Sequence, residues 1–243
     1  MSKEKLLHEV RRATMQGLDL LFPPRCAACK KQGHVLCPAC KAGIHPLAPP
    51  FCQHCGTPLV AENKCPQCAF RALSFSGVRA YSSFEEPLRG CIYSLKYEGN
   101  TRLAEPLGLM LAHAYRHYAL QADALIAVPL DNKRQEQRGY NHAYLLAKVC
   151  AAQVHVPLYS TMLVRHRATT AQVGLSASER RQNVVGAFRC TAAFTTGALL
   201  RRRILIIDDV CTTGATLEAC AAPLFAAGAR EVRALVLARP SSK

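Results

Sequence analysis

Two adjacent carboxylates, Asp208 and Asp209, stand between four branched aliphatics, Ile204, Leu205, Ile206 and Ile207, and a small polar loop, Val210, Cys211, Thr212, Thr213, Gly214, Ala215 and Thr216. Such a loop running into a helix binds phosphate. Successive backbone N–H groups at the helix start converge on one anion, Gly214 lets the backbone approach closely, and the hydroxyls of Thr212, Thr213 and Thr216 add donors. A bare phosphate needs no carboxylates, but a sugar phosphate does: paired acids accept hydrogen bonds from vicinal ribose hydroxyls while the loop holds the 5′-phosphate. The plainer alternative, a strand whose Asp209 only caps the next helix, leaves the threonine-glycine loop unexplained.

The second chemical signal is eight cysteines in four CxxC pairs: Cys26/Cys29, Cys37/Cys40, Cys52/Cys55 and Cys65/Cys68. Each pair presents two thiolates on one tight turn, and two pairs complete a closed tetrahedral shell, so the expectation is two structural zinc ions. Disulfides are the poorer reading in a chain without an export signal. Gaps of 7 and 9 residues favour sequential grouping, 26/29/37/40 and 52/55/65/68, with cross-bracing as the alternative. Eight sulfurs fill both sites, which makes His34, His45 and His54 bystanders. The other cysteines, Cys91, Cys150, Cys190, Cys211 and Cys220, read as small buried hydrophobes. Cys211 alone invites a second reading, as a helix-start thiol of depressed pKa that senses oxidation.

The elements that must position these groups follow from the pattern. Residues 204–207 lack polar alternation, which marks a strand buried on both faces of a parallel sheet, and the acids then lie at its carboxyl edge. An apolar helix over 217–227 follows, with Pro223 expected to kink or divide it. Upstream, the pattern predicts a strand over 78–84, helices over 86–97 and 102–118, a strand over 124–128, a helix over 143–153, further strand material over 154–164 and a closing strand over 232–238. Lys96 has two equal readings, a lysine favourable to a helix C-terminus and a ligand contact. Pro129, Leu130, Asp131, Asn132, Lys133 and Arg134 form a polar turn with two cations, suited to a diphosphate. Residues 138–142 offer another anion-facing helix start. A long polar stretch from Arg165 through Arg167, Thr169, Thr170, Gln172 and Leu175 is a functional loop by length and arginine density. Residues 5–21 form an amphipathic helix packed on the body. A receiver-type fold also carries paired acids, but on its first strand, and only 34 residues follow Asp209.

Composition limits the function classes. Half of the 243 residues are hydrophobic, enough for a real core, yet no run approaches a membrane span. The expectation is a cytoplasmic protein without membrane insertion. A net charge of +15 calls for a polyanionic partner, and residues 160–203 concentrate it, with eight arginines and one acid, Glu179. Arg180, Arg181, Arg201, Arg202 and Arg203 are the candidate DNA contacts, with Tyr140 and Phe188 as possible stacking rings.

Residues 204–216 resemble the phosphoribosyl-diphosphate (PRPP) motif of type I phosphoribosyltransferases at every position but Cys211. The whole order, from the CxxC module through LKYEGN, the VP strand end, RGYNHA, RRQNVVGAF and that motif, resembles the ComF family. The resemblance implies an α/β fold, a type I phosphoribosyltransferase-like parallel sheet with a small N-terminal zinc-ribbon module. Its divisions would be an N-terminal helix at 1–24, a double zinc ribbon at 25–72 and the transferase-like domain at 77–243. It also implies PRPP held with Mg2+ by Asp208, Asp209, residues 210–216 and the diphosphate loop Pro129, Leu130, Asp131, Lys133 and Arg134. Arg165 and Arg167 would open a catalytic-type flexible loop. Two functions remain open: DNA uptake and utilisation, with PRPP and single-stranded DNA as ligands and other uptake proteins as partners, or transfer of phosphoribosyl from PRPP to a nucleobase or amine in nucleotide salvage.

Overall fold

The computed structural model describes residues 23–59, 65–70, 73–167, 176–195 and 197–240. The predicted helix over 5–21 and the loop residues Thr169, Thr170, Gln172 and Leu175 lie outside them. In chain order the strands are β1 (Val78–Ser83), β2 (Ala124–Ala127), β3 (Leu163–Arg165), β4 (Phe188–Cys190), β5 (Arg203–Val210) and β6 (Glu231–Arg239). The helices are α1 (Pro38–Ala42), α2 (Pro66–Phe70), α3 (Leu88–Tyr97), α4 (Ala104–His117), α5 (Asn132–Arg138), α6 (His142–Val154), α7 (Ala177–Val184) and α8 (Ala215–Ala226).

Four strands form one sheet in the order β1-β6-β5-β2, every pair parallel. Parallel strands have their side chains covered on both faces, and β5 shows why its sequence lacks alternation. Leu205 and Ile207 enter a core with Leu88 and Leu95 of α3, Leu107 of α4 and Leu146 of α6. Ile204 and Ile206 enter the opposite core with Leu217 and Leu224 of α8. On the α8 side, β3 and β4 pair antiparallel as a small separate ribbon. Helices α4 and α6 pack closely because Gly108 has no side chain: a Cβ there would lie 2.5 Å from Val149 Cβ.

The expected α/β architecture, a parallel sheet behind a small cysteine-rich module, is the one found. Three local expectations change. Pro223 does not divide its helix: α8 runs unbroken from Ala215 to Ala226 with Pro223 inside it. The turn over 129–134 becomes helical at Asn132, with Asp131 as N-cap accepting a hydrogen bond from Lys133 N at 3.2 Å. A capping box between Ser176 and Glu179 starts α7 in a stretch without hydrophobic periodicity.

The cysteine module is not a free-standing bead. Cys26, Ala27, Leu36, Cys37 and Ile44 belong to the same core as α3 and α4. The second ribbon runs beside β1, where Val78 N donates to His54 O at 2.8 Å. Among the described residues no helix is long and apolar enough to cross a membrane.

Candidate functional site

Because the sheet is parallel, the carboxyl ends of its strands share one edge, and a cavity of about 860 Å³ opens there. Lys96 and Tyr97 line it from the end of α3, Val128, Pro129 and Leu130 from the turn after β2, and Arg134 and Arg138 from α5. His142 from α6, Arg165 from β3 and Arg180 from α7 complete the lining with Asp208, Asp209, Val210, Thr212 and Thr216.

The two acids sit at the end of β5, 9% and 2% exposed. Lys96 Nζ lies 2.5 Å from Asp209 Oδ2. His142 Nε2 lies 3.5 Å from Asp209 Oδ1 and 3.9 Å from Asp208 Oδ1. Arg138 Nη1 is 2.7 Å from His142 Nδ1. An arginine can only donate there, so Nδ1 accepts and Nε2–H faces the carboxylates. Burial holds His142 below its usual pKa, in keeping with a neutral ring, although the Asp209 charge opposes this.

The acids divide their roles. Burial, then repulsion from Asp209, pushes Asp208 up to about 8. Burial would raise Asp209 as well, but the Lys96 ammonium and the His142 hydrogen bond more than offset it and hold Asp209 well below the carboxylate range. Asp209 is therefore the more acidic of the two, and it is the one that pairs with Lys96. Lys96 itself is lowered by burial and raised more strongly by the two acids, ending above the usual lysine value.

The loop after β5 turns at Gly214, whose φ of +82° favours glycine, and it packs so tightly that a Cβ would lie 2.6 Å from Leu73 Cδ2. Gly214 is the N-cap of α8 and supplies no side-chain cap. Arg180 Nη1 donates to Thr212 Oγ1 at 3.2 Å, bringing a cation to the loop. Arg134 and Arg165 face the same cavity. Burial lowers the Arg165 pKa, Asp131 opposes that in part, and the Arg134 charge adds a smaller lowering. A polyanion between these arginines would relieve that repulsion.

Several predicted site residues stand elsewhere. Asp131 is buried as the cap of α5 and Lys133 is exposed outside the cavity wall. Ala215 is buried in the core on the α8 side, and Thr213 Oγ1 accepts from Ala215 N at 3.4 Å, inside the turn. Cys211 faces inward, where burial pushes its thiol up to about 11, so the low-pKa redox reading is wrong: the side chain sits in the core, not at the helix start facing solvent. Arg167 is exposed and donates to Asn183 O and Val185 O, which ties it to the turn after α7. Asn141 caps α6 with its own side-chain oxygen, so that helix start is not open to an outside anion. Tyr140 is half-buried and donates its hydroxyl to Leu95 O, while Phe188 is buried under Arg165 and is not offered for stacking.

The basic stretch is not one patch. Arg180 belongs to the cavity, while Arg181 lies 4.0 Å from Glu218 of α8. Arg201 and Arg202 are exposed at the opposite end of β5, where Arg203 pairs with Asp123 at 3.0 Å. Arg203 and Asp208 are five residue steps apart along the strand, about 17 Å. Charge density along the chain could not reveal that split. The reverse holds for Lys96, Arg138 and His142: LKYEGN and RGYNHA pointed at them, but only the packing of α3, α5 and α6 brings them onto the acids.

The cysteines group sequentially. The sulfurs of Cys26, Cys29, Cys37 and Cys40 lie within 4.8 Å of one another, as do those of Cys52, Cys55, Cys65 and Cys68. Specific separations are 3.7 Å for Cys29–Cys37, 3.7 Å for Cys52–Cys68 and 3.5 Å for Cys55–Cys65. A tetrahedron with Zn–S bonds of about 2.3 Å has sulfur edges of about 3.8 Å. Both clusters fit zinc, with no open position. His142, Asp208 and Asp209 also cluster, yet Lys96 already stands at Asp209. That donor set fits sugar hydroxyls.

Residues 17–69 match the family model described as "Double zinc ribbon domain". The chain is 33% identical over 228 residues to competence protein F of Haemophilus influenzae, covering 90% of this chain and 98% of that protein. It is 32% identical over 195 residues to the DNA utilization protein YhgH of Escherichia coli O157:H7, covering 78% and 84%. Among solved structures it is similar to the glutamine PRPP amidotransferase from B. subtilis, with 23% identity and a TM-score of 0.36 over 54% of this chain and 25% of that one.

Proposed function

The chain belongs to the ComF family of competence and DNA-utilisation proteins, and from that premise we propose that it is a cytoplasmic DNA-uptake or DNA-utilisation protein whose cavity binds PRPP with Mg2+. The observation that carries the reading is the pair Asp208 and Asp209 facing one cavity with a glycine-turned loop at the start of α8 and the arginines Arg134, Arg165 and Arg180. Few ligands need all three. A ribose presents two hydroxyls to the acids, its 5′-phosphate meets Thr212, Gly214 and Thr216, and a diphosphate at C1′ meets Pro129, Leu130, Arg134 and Arg165.

Asp209, ionised on Lys96, accepts from one hydroxyl. Asp208, neutral in the free site, gives up its proton as hydroxyl donors and a cation arrive. Mg2+ bound with the diphosphate would stand beside Asp208 and Asp209 and would offset charge on the leaving group. Arg134 and Arg165 flank the place where that charge develops, which favours a second reading, transfer of the phosphoribosyl group to a nucleobase or amine. Residues 25–72 act as the double zinc ribbon, and single-stranded DNA binds through phosphates on the basic surface that includes Arg201 and Arg202.

Calorimetric titration tests the reading with three ligands in Mg2+: PRPP, ribose 5-phosphate and inorganic phosphate. The expected order is PRPP tightest and phosphate weakest, and equal affinity for all three would refute it. Diphosphate release with bases, amines or single-stranded DNA present then decides between ligand and substrate.

A further inference from the structure

Arg239 is the largest fully buried side chain of the described residues, 1% exposed at the end of β6. Its guanidinium donates to Thr57 Oγ1 at 2.8 Å, to Gln67 Oε1 at 2.8 Å and to Cys211 Sγ at 2.7 Å. All three acceptors are uncharged. Two of them belong to the second ribbon, and the third opens the loop after β5. Thr57 in turn touches the metal-ligand set, with its Oγ1 3.1 Å from Cys55 Sγ.

A buried guanidinium needs a counter-charge, and a zinc ion held by four thiolates is a net dianion. Groups that hydrogen-bond a ligand shell commonly orient it. Here such a group is shared with the cavity. Two further contacts run the same way: His54 Nε2 donates to Leu73 O at 2.9 Å, and Leu73 packs on Gly214. Ser74 N donates to Glu218 Oε1 at 3.0 Å in the first turn of α8. His54, which stands outside the four-cysteine cluster, holds the segment that packs on the loop.

We propose that Arg239 is a positioning residue that couples the second four-cysteine zinc site to the anion loop 211–216, so that the cavity has its binding shape only when that zinc is in place. The proposal rests on reading this loop as the phosphate subsite, but the coupling itself is measured without any phosphate ligand.

The test is amide hydrogen exchange of the full chain, with zinc content measured alongside. Cys68→Ser disables the second site, Cys29→Ser the first, and Arg239→Met removes the guanidinium at similar volume. Cys68→Ser is expected to speed exchange across 211–216 by about tenfold or more while the amides of β5 keep their protection. Arg239→Met should do the same with the first zinc retained, Arg239→Lys should restore part of the protection, and Cys68→Ser added to Arg239→Met should change the loop little further. Loop exchange unmoved by Cys68→Ser, or moved equally by Cys29→Ser, overturns the coupling. Should Arg239→Met not fold, Thr57→Val carries the same test, because it removes the ribbon's hydroxyl acceptor and leaves the arginine in place. Coupling that is present in a protein that ignores PRPP would sink the proposed ligand and leave this inference standing.

Discussion

Replacing the two acids separately should have opposite effects on stability, although the substitutions look alike in sequence. Asp209→Asn removes the partner of Lys96, whose side chain is 22% exposed and 2.5 Å away. Breaking a buried ion pair costs about 3–5 kcal/mol. For a chain of this size each kcal/mol moves Tm by about 2–4 °C, so a fall of roughly 6–20 °C is expected. Asp208→Asn replaces an acid that is already neutral near pH 7 by a neutral isostere.

The pH dependence separates the two further. Asp208 has a folded pKa of about 8, raised from its unfolded value by burial and then by Asp209, so between those values the folded state holds a proton the unfolded state lacks. Stability from this group is complete below the unfolded pKa and is lost as pH rises toward 8. An asparagine at this position does not titrate and has no such slope. The Tm difference between Asp208→Asn and wild type should therefore grow steadily from pH 5 to pH 8. Asp209, lowered in the folded state, contributes stability above its unfolded pKa and loses it as pH falls. Thermal melts of the three proteins over that range are the assay. A pH-independent difference for Asp208→Asn, or an Asp209→Asn protein as stable as wild type, would refute the division of charge within the pair.

Other outcomes follow from the same geometry. Asp208→Asn should weaken Mg2+-PRPP binding by about ten- to a hundredfold, the value of one charged hydrogen bond, read by calorimetry. PRPP binding to wild type should release a proton near pH 7, seen as a binding heat that varies with the buffer's ionisation enthalpy. Metal analysis should give two zinc ions per chain, and because Cys26 and Cys37 share a core with α3 and α4, chelating both should lower the melting of the whole chain rather than release a separate module. Arg201→Glu with Arg202→Glu should reduce affinity for single-stranded DNA and flatten its salt dependence while leaving PRPP binding unchanged, measured by anisotropy at several salt concentrations.

What was legible in the sequence was what is local. The strand 204–207, the acids at its end, the Gly214 turn and the grouping of the CxxC pairs each depend on neighbours within a few residues, and each appears where the pattern put it. What the sequence does not show is which partner each polar side chain takes. Asp131 reads as a ligand acid until its helix start claims it, and Arg167 reads as catalytic until two carbonyls do. Lys96 had balanced readings because its spacing fits a helix end, and it does end α3. Only the packing of α3 beside β5 shows that the same ammonium also stands on Asp209.

That double use explains why two carboxylates can be buried side by side at all. Apposed and buried, two charges would repel strongly, and one relief is to leave one acid protonated and to give the other a cation. Asp208 takes the first course and Lys96 supplies the second. The cost is that the free site rests in a state that is not complementary to a charged ligand's cation, because one acceptor holds a proton. Ligand binding then has to release that proton, so affinity for Mg2+-PRPP should rise with pH up to about 8 and level off above it. Affinity that is flat across that range would mean that Asp208 is ionised before the ligand arrives, and the Lys96 pairing alone would then have to hold two charges.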